Sequence, residues 1–216
     1  MHPPRSAPLP LTPYPLPFLH PVFTPRWELP GVLSCMTTLT QVTSAIDLAT
    51  AWAGGMTYAE FEAVAAPEHR PLWEAIHRTH TLPGWATTTR LPTGTRLLAI
   101  AADWCGDAVN TLPTMAKWAE VIGVEFRIID RDRWPQVMDH YLTDGARSIP
   151  IVIALDAEFK KVGHWGPRPS ELQAWVMTHK DTMDKSARYK EVRRWYAKDR
   201  GATAIRDIVN AVRSKE

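Results

Sequence analysis

The sequence predicts an α/β fold, a central mixed sheet flanked by helices, and three observations carry that expectation. A short apolar run at 97–102, bounded by Arg96 and Asp103, reads as a buried strand, because both of its faces must meet hydrophobic neighbours. A thiol, Cys105, follows where the strand stops and leads into residues 110–120, where Leu112, Met115, Ala116 and Ala119 recur at helical spacing. Farther on, strand and helix patterns alternate and then close in a hairpin, so the sheet is parallel at first and antiparallel at its end.

With 216 residues the chain has room for one or two domains. A hydrophobic content of 45% with mixed charges describes a globular protein, and a net charge of +2 names no partner. No run approaches the ~18–20 apolar residues that cross a bilayer, so a membrane partner is not expected. Two cysteines, Cys35 and Cys105, make no disulfide framework, and no Cys/His cluster suggests zinc. No metal or resident cofactor is expected, and so low a cysteine count fits a reducing cytoplasm.

Residues 1–34 form a proline-rich tail, with ten of the nineteen prolines at 1–30. Proline fixes φ and removes a donor, so an extended or disordered tail is the first reading. A translation start at Met36 and a proline-rich docking ligand are the others. A helical segment and linker are expected at 35–90. Leu39, Val42, Ile46 and Ala49 keep helical spacing until Gly54 and Gly55. Thr57 and Glu60 form a capping box that opens a helix through Tyr58, Phe61 and Val64, stopped at Pro67. Pro71 fits the first turn of a third helix with Leu72, Trp73 and Ile76, and 81–92 reads as a linker around Pro83, Gly84 and Pro92. His69, His77 and His80 lack the thiolates or carboxylates of a good metal site and read as exposed helix histidines.

The core is expected at 91–180. After the helix that Gly123 ends, residues 124–130 alternate as a strand, and Trp134-Pro135 opens a helix through Val137, Met138 and Tyr141. A turn at 143–147 leads to Pro150. Residues 151–155 and 159–163 pair across a tight turn at Asp156-Ala157, and a last core helix starts at Pro169 with Leu172, Trp175 and Val176 inward. Residues 181–216 form a helical extension, one helix through Met183, Ala187, Val192, Trp195 and Tyr196, a second through Ile205, Ile208, Val209 and Val212, with Gly201 between. The cluster Arg188, Lys190, Arg193, Arg194, Lys198 and Arg200 is diluted by Glu191 and Asp199 and reads as a solvated face rather than a nucleic-acid site.

Trp104-Cys105-Gly106-Asp107 at a helix start resembles the active site of the thioredoxin family, in which Trp-Cys-x-x-Cys opens a helix. Pro113 falls where that family carries a helix-kinking proline, Ser148-Ile149-Pro150 resembles its cis-proline loop, and 151–155 with 159–163 resemble its closing strands. The resemblance covers roughly 91–180 and implies the thioredoxin fold, with added helices at both ends. Two departures matter: Ala108 stands at the position of the second cysteine and Ala99 at that of the buried acid. A self-contained dithiol cycle is therefore not available.

The resemblance makes Cys105 the candidate nucleophile, with Trp104 as an apolar rim, Gly106 admitting a partner backbone, and Ile149 and Pro150 presenting a pairing edge. Free N–H groups at a helix start favour a thiolate, and Asp103 and Asp107 oppose it. One thiol can attack a disulfide and be released by an external thiol, so monothiol exchange with protein or small-molecule thiols and disulfides is the first expectation. A low-molecular-weight thiol serves as co-substrate, and Cys35 is the internal alternative. The competing reading is a redox-inactive module that binds partner chains across the same groove. Peroxide reduction lacks the expected threonine and arginine arrangement. Oligomeric state is left open.

Overall fold

A computed structural model describes residues 46–214. The proline-rich tail, Cys35 and the start of the first expected helix lie outside the described residues. Four strands form one sheet in the order β2-β1-β3-β4: β1 Arg96–Ala101, β2 Glu125–Asp130, β3 Ile151–Leu155 and β4 Lys161–Trp165. β1 pairs in parallel with β2, while β1–β3 and β3–β4 are antiparallel. This is the mixed sheet of the thioredoxin fold. The centre falls to β1 because Leu97–Ala101 are wholly buried and need cover on both faces.

Helices precede the sheet in the order α1 Leu48–Ala53, α2 Tyr58–Val64, α3 Arg70–Thr79 and α4 Gly84–Thr88. Thr57 and Glu60 close the capping box at the start of α2, each side chain meeting the other residue's backbone N–H. α4 lies inside the stretch expected as a linker. Pro83 and Gly84, which read as breakers, start this turn of helix instead, and the buried Ala86 carbonyl accepts from Trp118 Nε1 at 3.0 Å. The histidines are half-buried and engaged rather than exposed. His77 stacks on Tyr58, His80 Nδ1 lies 2.8 Å from Thr114 Oγ1, and His69 lies 3.2 Å from Asp103.

Between β1 and β2 the expected single helix is two: α5 Gly106–Val109 and α6 Leu112–Ile122. Pro113 has no N–H to give the Val109 carbonyl four residues back, so the ladder breaks there. Asn110 Nδ2 and Thr111 Oγ1 fill the gap, donating to the Gly106 and Asp107 carbonyls at 2.7 and 2.8 Å. α7 Pro135–Met138 is a single turn that ends before the buried Tyr141. The β3–β4 connection is wider than the expected Asp156-Ala157 turn. Asp156 Oδ1 accepts from the backbone of Glu158 and Lys160, Phe159 takes φ 60°, and β4 starts only at Lys161.

The end of the chain departs most from expectation. α8 Ser170–His179 and α9 Lys185–Asp199 form a hairpin with its own small core of Leu172, Val192 and Tyr196, flanked by Trp175, Val176 and Trp195. α10 Ala202–Arg213 packs on β4 and β3, and its Ala204, Ile205, Ile208, Val209 and Val212 join the main core. The core therefore does not close at residue 180 with α8. It closes with α10, and residues 166–201 lie between β4 and that helix. The reason is apolar pattern: α10 offers a buried stripe, whereas α8 buries only Leu172.

α10 comes so close to β4 that a Cβ on Gly163 would sit 2.6 Å from the Ala211 carbonyl oxygen, a backbone atom. Gly163→Ala is expected to cost about 1–3 kcal/mol by forcing helix and strand apart. Gly106→Ala, where an added Cβ meets nothing within 4 Å, is expected to be neutral or to stabilise by up to about 1 kcal/mol. Urea unfolding of the two variants measures both; equal midpoints would contradict the close packing of α10.

Candidate functional site

Cys105 is the N-cap of α5, at the point where β1 delivers the chain to its first helical turn. Its Sγ donates to the Ile149 carbonyl at 3.4 Å, and the Ile149–Pro150 peptide bond is cis. The sulfur thus faces the loop that leads into β3. Trp104 stands beside it, 51% exposed, with the Arg131 guanidinium 4.7 Å from its ring centre. Cys105, Trp104, Gly106, Asp107 and Ile149 line one cavity of about 540 Å³; Pro150 is buried behind Ile149.

Cys105 as a residue is only 8% exposed, and burial pushes its thiol pKa above the ordinary cysteine range. The backbone N–H groups of Ala108 and Asp107 pull the other way, as does Arg168, but burial is the largest influence. The expectation of a thiolate-favouring helix start is corrected accordingly. α5 is a single turn, so it brings two N–H groups to the sulfur and little aligned dipole. Asp103 does not oppose the thiolate at all: it turns away to accept from the Ala66 N–H at 2.7 Å and to pair with His69.

Asp107 is the charged neighbour. Its side chain is 14% exposed and lies 2.6 Å from an Arg168 terminal nitrogen, and Tyr196 Oη donates to it at 3.0 Å. Burial raises the Asp107 pKa while Arg168 and Tyr196 hold it back; the same carboxylate and burial raise the Tyr196 phenol far above its usual range. Arg168 and Tyr196 both come from the stretch between β4 and α10, so the α8–α9 hairpin becomes a wall of the cavity, with Tyr189, Val192 and Arg193 beside them. None of these wall residues belonged to the expected site. Tyr196 lies 89 positions from Asp107, and nothing local in Pro167-Arg168-Pro169 announces an acidic partner. The one available signal was the apolar stripe of α9, which had to face something.

Among the described residues no three His, Cys, Asp or Glu side chains gather as a metal site, and no helix is long and apolar enough to cross a membrane. Sheet order, the strand–thiol–helix turn and the facing loop define a protein of the thioredoxin class. A family model described as thioredoxin matches residues 55–190, well over half of the chain, and the chain belongs to that family. Two solved structures share the fold. A protein of unknown function from Pseudomonas aeruginosa is 19% identical, with a TM-score of 0.64 over 80% of this chain and 100% of its own. An HIV epitope-scaffold is also 19% identical, with a TM-score of 0.62 over 77% of this chain and 97% of its own. No curated protein matches the chain in sequence.

Removing one partner of this part-buried pair leaves the other short of a partner. Arg168→Met is expected to cost about 1–3 kcal/mol, and Asp107→Leu combined with Arg168→Met clearly less, because the double variant strands no charge. A double-mutant cycle by chemical denaturation measures this. Additive losses would mean that the two side chains do not interact.

Proposed function

We propose that this thioredoxin-family protein carries out monothiol thiol–disulfide exchange through Cys105, with an external low-molecular-weight thiol as resolver. The observation that carries the reading is Sγ lining an open cavity while it faces the Ile149-Pro150 loop. Cys105 attacks one sulfur of a disulfide as a thiolate, the S–S bond breaks, and a thiolate leaves with the bonding pair. The external thiol, its proton given to solvent, then attacks the mixed disulfide and returns Cys105 as a thiolate. Ala108 cannot perform that second step from within the motif. Trp104 and Ile149 border the attacked sulfur, and Gly106 leaves its approach open. A reducing cytoplasm, where small thiols abound, is the compartment that this cycle suits.

The burial of Cys105 favours a second reading, in which the cavity binds partners and the thiol is a small buried hydrophobe. The pH dependence of reactivity separates the two. Only the thiolate attacks, and its pKa is raised, so the exchange rate is expected to climb about tenfold per pH unit and to keep climbing past ~8.5, the value of a free thiol. Folding holds that proton, so Cys105 contributes stability that is fully present below ~8.5 and fades as pH rises above it. In the Cys35→Ser chain, a mixed disulfide with a small thiol, detected by mass and reversed by excess thiol, is the expected product. A Cys105 inert to disulfides at every pH in the folded chain, yet reactive once unfolded, would leave the binding module. Ala108→Cys is expected to let the chain release its mixed disulfide without an external thiol, by restoring the internal resolver.

A further inference from the structure

The cavity beside Cys105 is cationic. Its lining carries four guanidinium groups, Arg131, Arg147, Arg168 and Arg193, against the single carboxylate of Asp107. Three of the four have an acidic partner: Arg131 with Asp132 at 2.9 Å, Arg147 with Asp139 at 2.6 Å and Arg168 with Asp107 at 2.6 Å. Arg193 is exposed, and among the described residues it has neither an ion pair nor a hydrogen bond. It is placed there by helical spacing. On α9, Tyr189, Val192 and Tyr196 form the stripe that faces the cavity, and Arg193 lies four residues from Tyr189 and three from Tyr196.

We propose that this cavity selects, as the disulfide attacked by Cys105, a low-molecular-weight disulfide that bears carboxylates. The proposal rests on the exchange reading above and adds the substrate class. A volume of about 540 Å³ suits a small molecule rather than a protein surface. Arg193 supplies the unneutralised charge, and the paired guanidinium groups keep further N–H donors beyond those their own carboxylates use, in the planar geometry that meets a carboxylate two bonds at a time. Trp104 and Tyr189, each about half exposed, give the apolar part of the ligand a flat surface. In the reaction one half of the disulfide stays on Cys105 and the other leaves as its thiolate, until an external thiol releases the bound half as a new mixed disulfide.

Two aryl disulfides test this on the Cys35→Ser chain: dithiobis-nitrobenzoate, with two carboxylates, and dithiodipyridine, with none. The rate of each with Cys105 is divided by its rate with free cysteine at the same pH, which removes intrinsic reactivity. The ratio of the two normalised rates, anionic over neutral, is expected at about ten, falling toward one in high salt and in Arg193→Ala. A ratio at or below one, with Cys105 still exchanging, overturns the substrate class and leaves the exchange reading standing. A ratio that Arg193→Ala does not lower overturns the role given to that residue. Cys105 reacting with neither probe until the chain is unfolded ends both.

Discussion

The structure around the thiol depends on one part-buried carboxylate. Asp107 sits two residues after Cys105 and is met by a guanidinium and a phenol from the far end of the chain. The helical hairpin that supplies them is held at its other side by α10, where the Ser170 N–H and hydroxyl donate to Asp207 at 2.8 and 3.1 Å. Its own core of Leu172, Val192 and Tyr196, at ~1.5–3 kcal/mol each, folds the hairpin but does not orient it over the cavity. An ion pair taken partly out of water adds little net stability, because desolvation offsets most of the attraction. It is sharply dependent on geometry, however, so it fixes how the hairpin meets the cavity. The wall of the cavity and the field at the sulfur thus share one anchor.

That anchor also contributes to the state of the thiol. Two backbone N–H groups and the end of a one-turn helix favour the thiolate, an effect worth ~0.3–1 kcal/mol at an ordinary helix end. Burial opposes it and reaches several pKa units, at ~1.4 kcal/mol each, for a fully enclosed group. The larger influence prevails at Cys105, and the negative charge of Asp107 adds to it. A reactive thiolate here needs something to offset burial, and the Arg168 guanidinium is in position to supply part of it. Pro113 is part of the same account, since it confines the helix beneath the thiol to one turn.

Much of the fold was legible because local chemistry dictated it. The run at 97–101 had to be central, the Thr57–Glu60 box had to start a helix, and the Gly123 φ of 73° had to stop one. The strand–thiol–helix turn was legible for the same reason. Two features were not. Pro83 and Gly84 start a helix as readily as they break one, so α4 was hidden in a linker. The state of the sulfur depends on its burial and on the charges of Asp107 and Arg168, and no local pattern reports a contact between Asp107 and a side chain 89 positions away. Asp103 was misjudged because proximity along the chain is not direction: its carboxylate points at the Ala66 N–H.

The placement of residues 166–201 links these points. β4 needs a helix across it, and the first helix after it, α8, has too little apolar face to serve. The stripe of α10 does serve, pressing on Gly163 so closely that only glycine fits without displacement. Everything between, residues 166–201, is released from holding the sheet together and can be shaped by the cavity that it borders. The left-handed pair Arg200 and Gly201 turns the chain back toward the core at the end of this excursion. The sheet and its covering helices fix where the thiol is presented, whereas the segment that borders the cavity fixes what reaches the thiol. In this protein those two tasks fall to different parts of the chain, and they meet at Asp107.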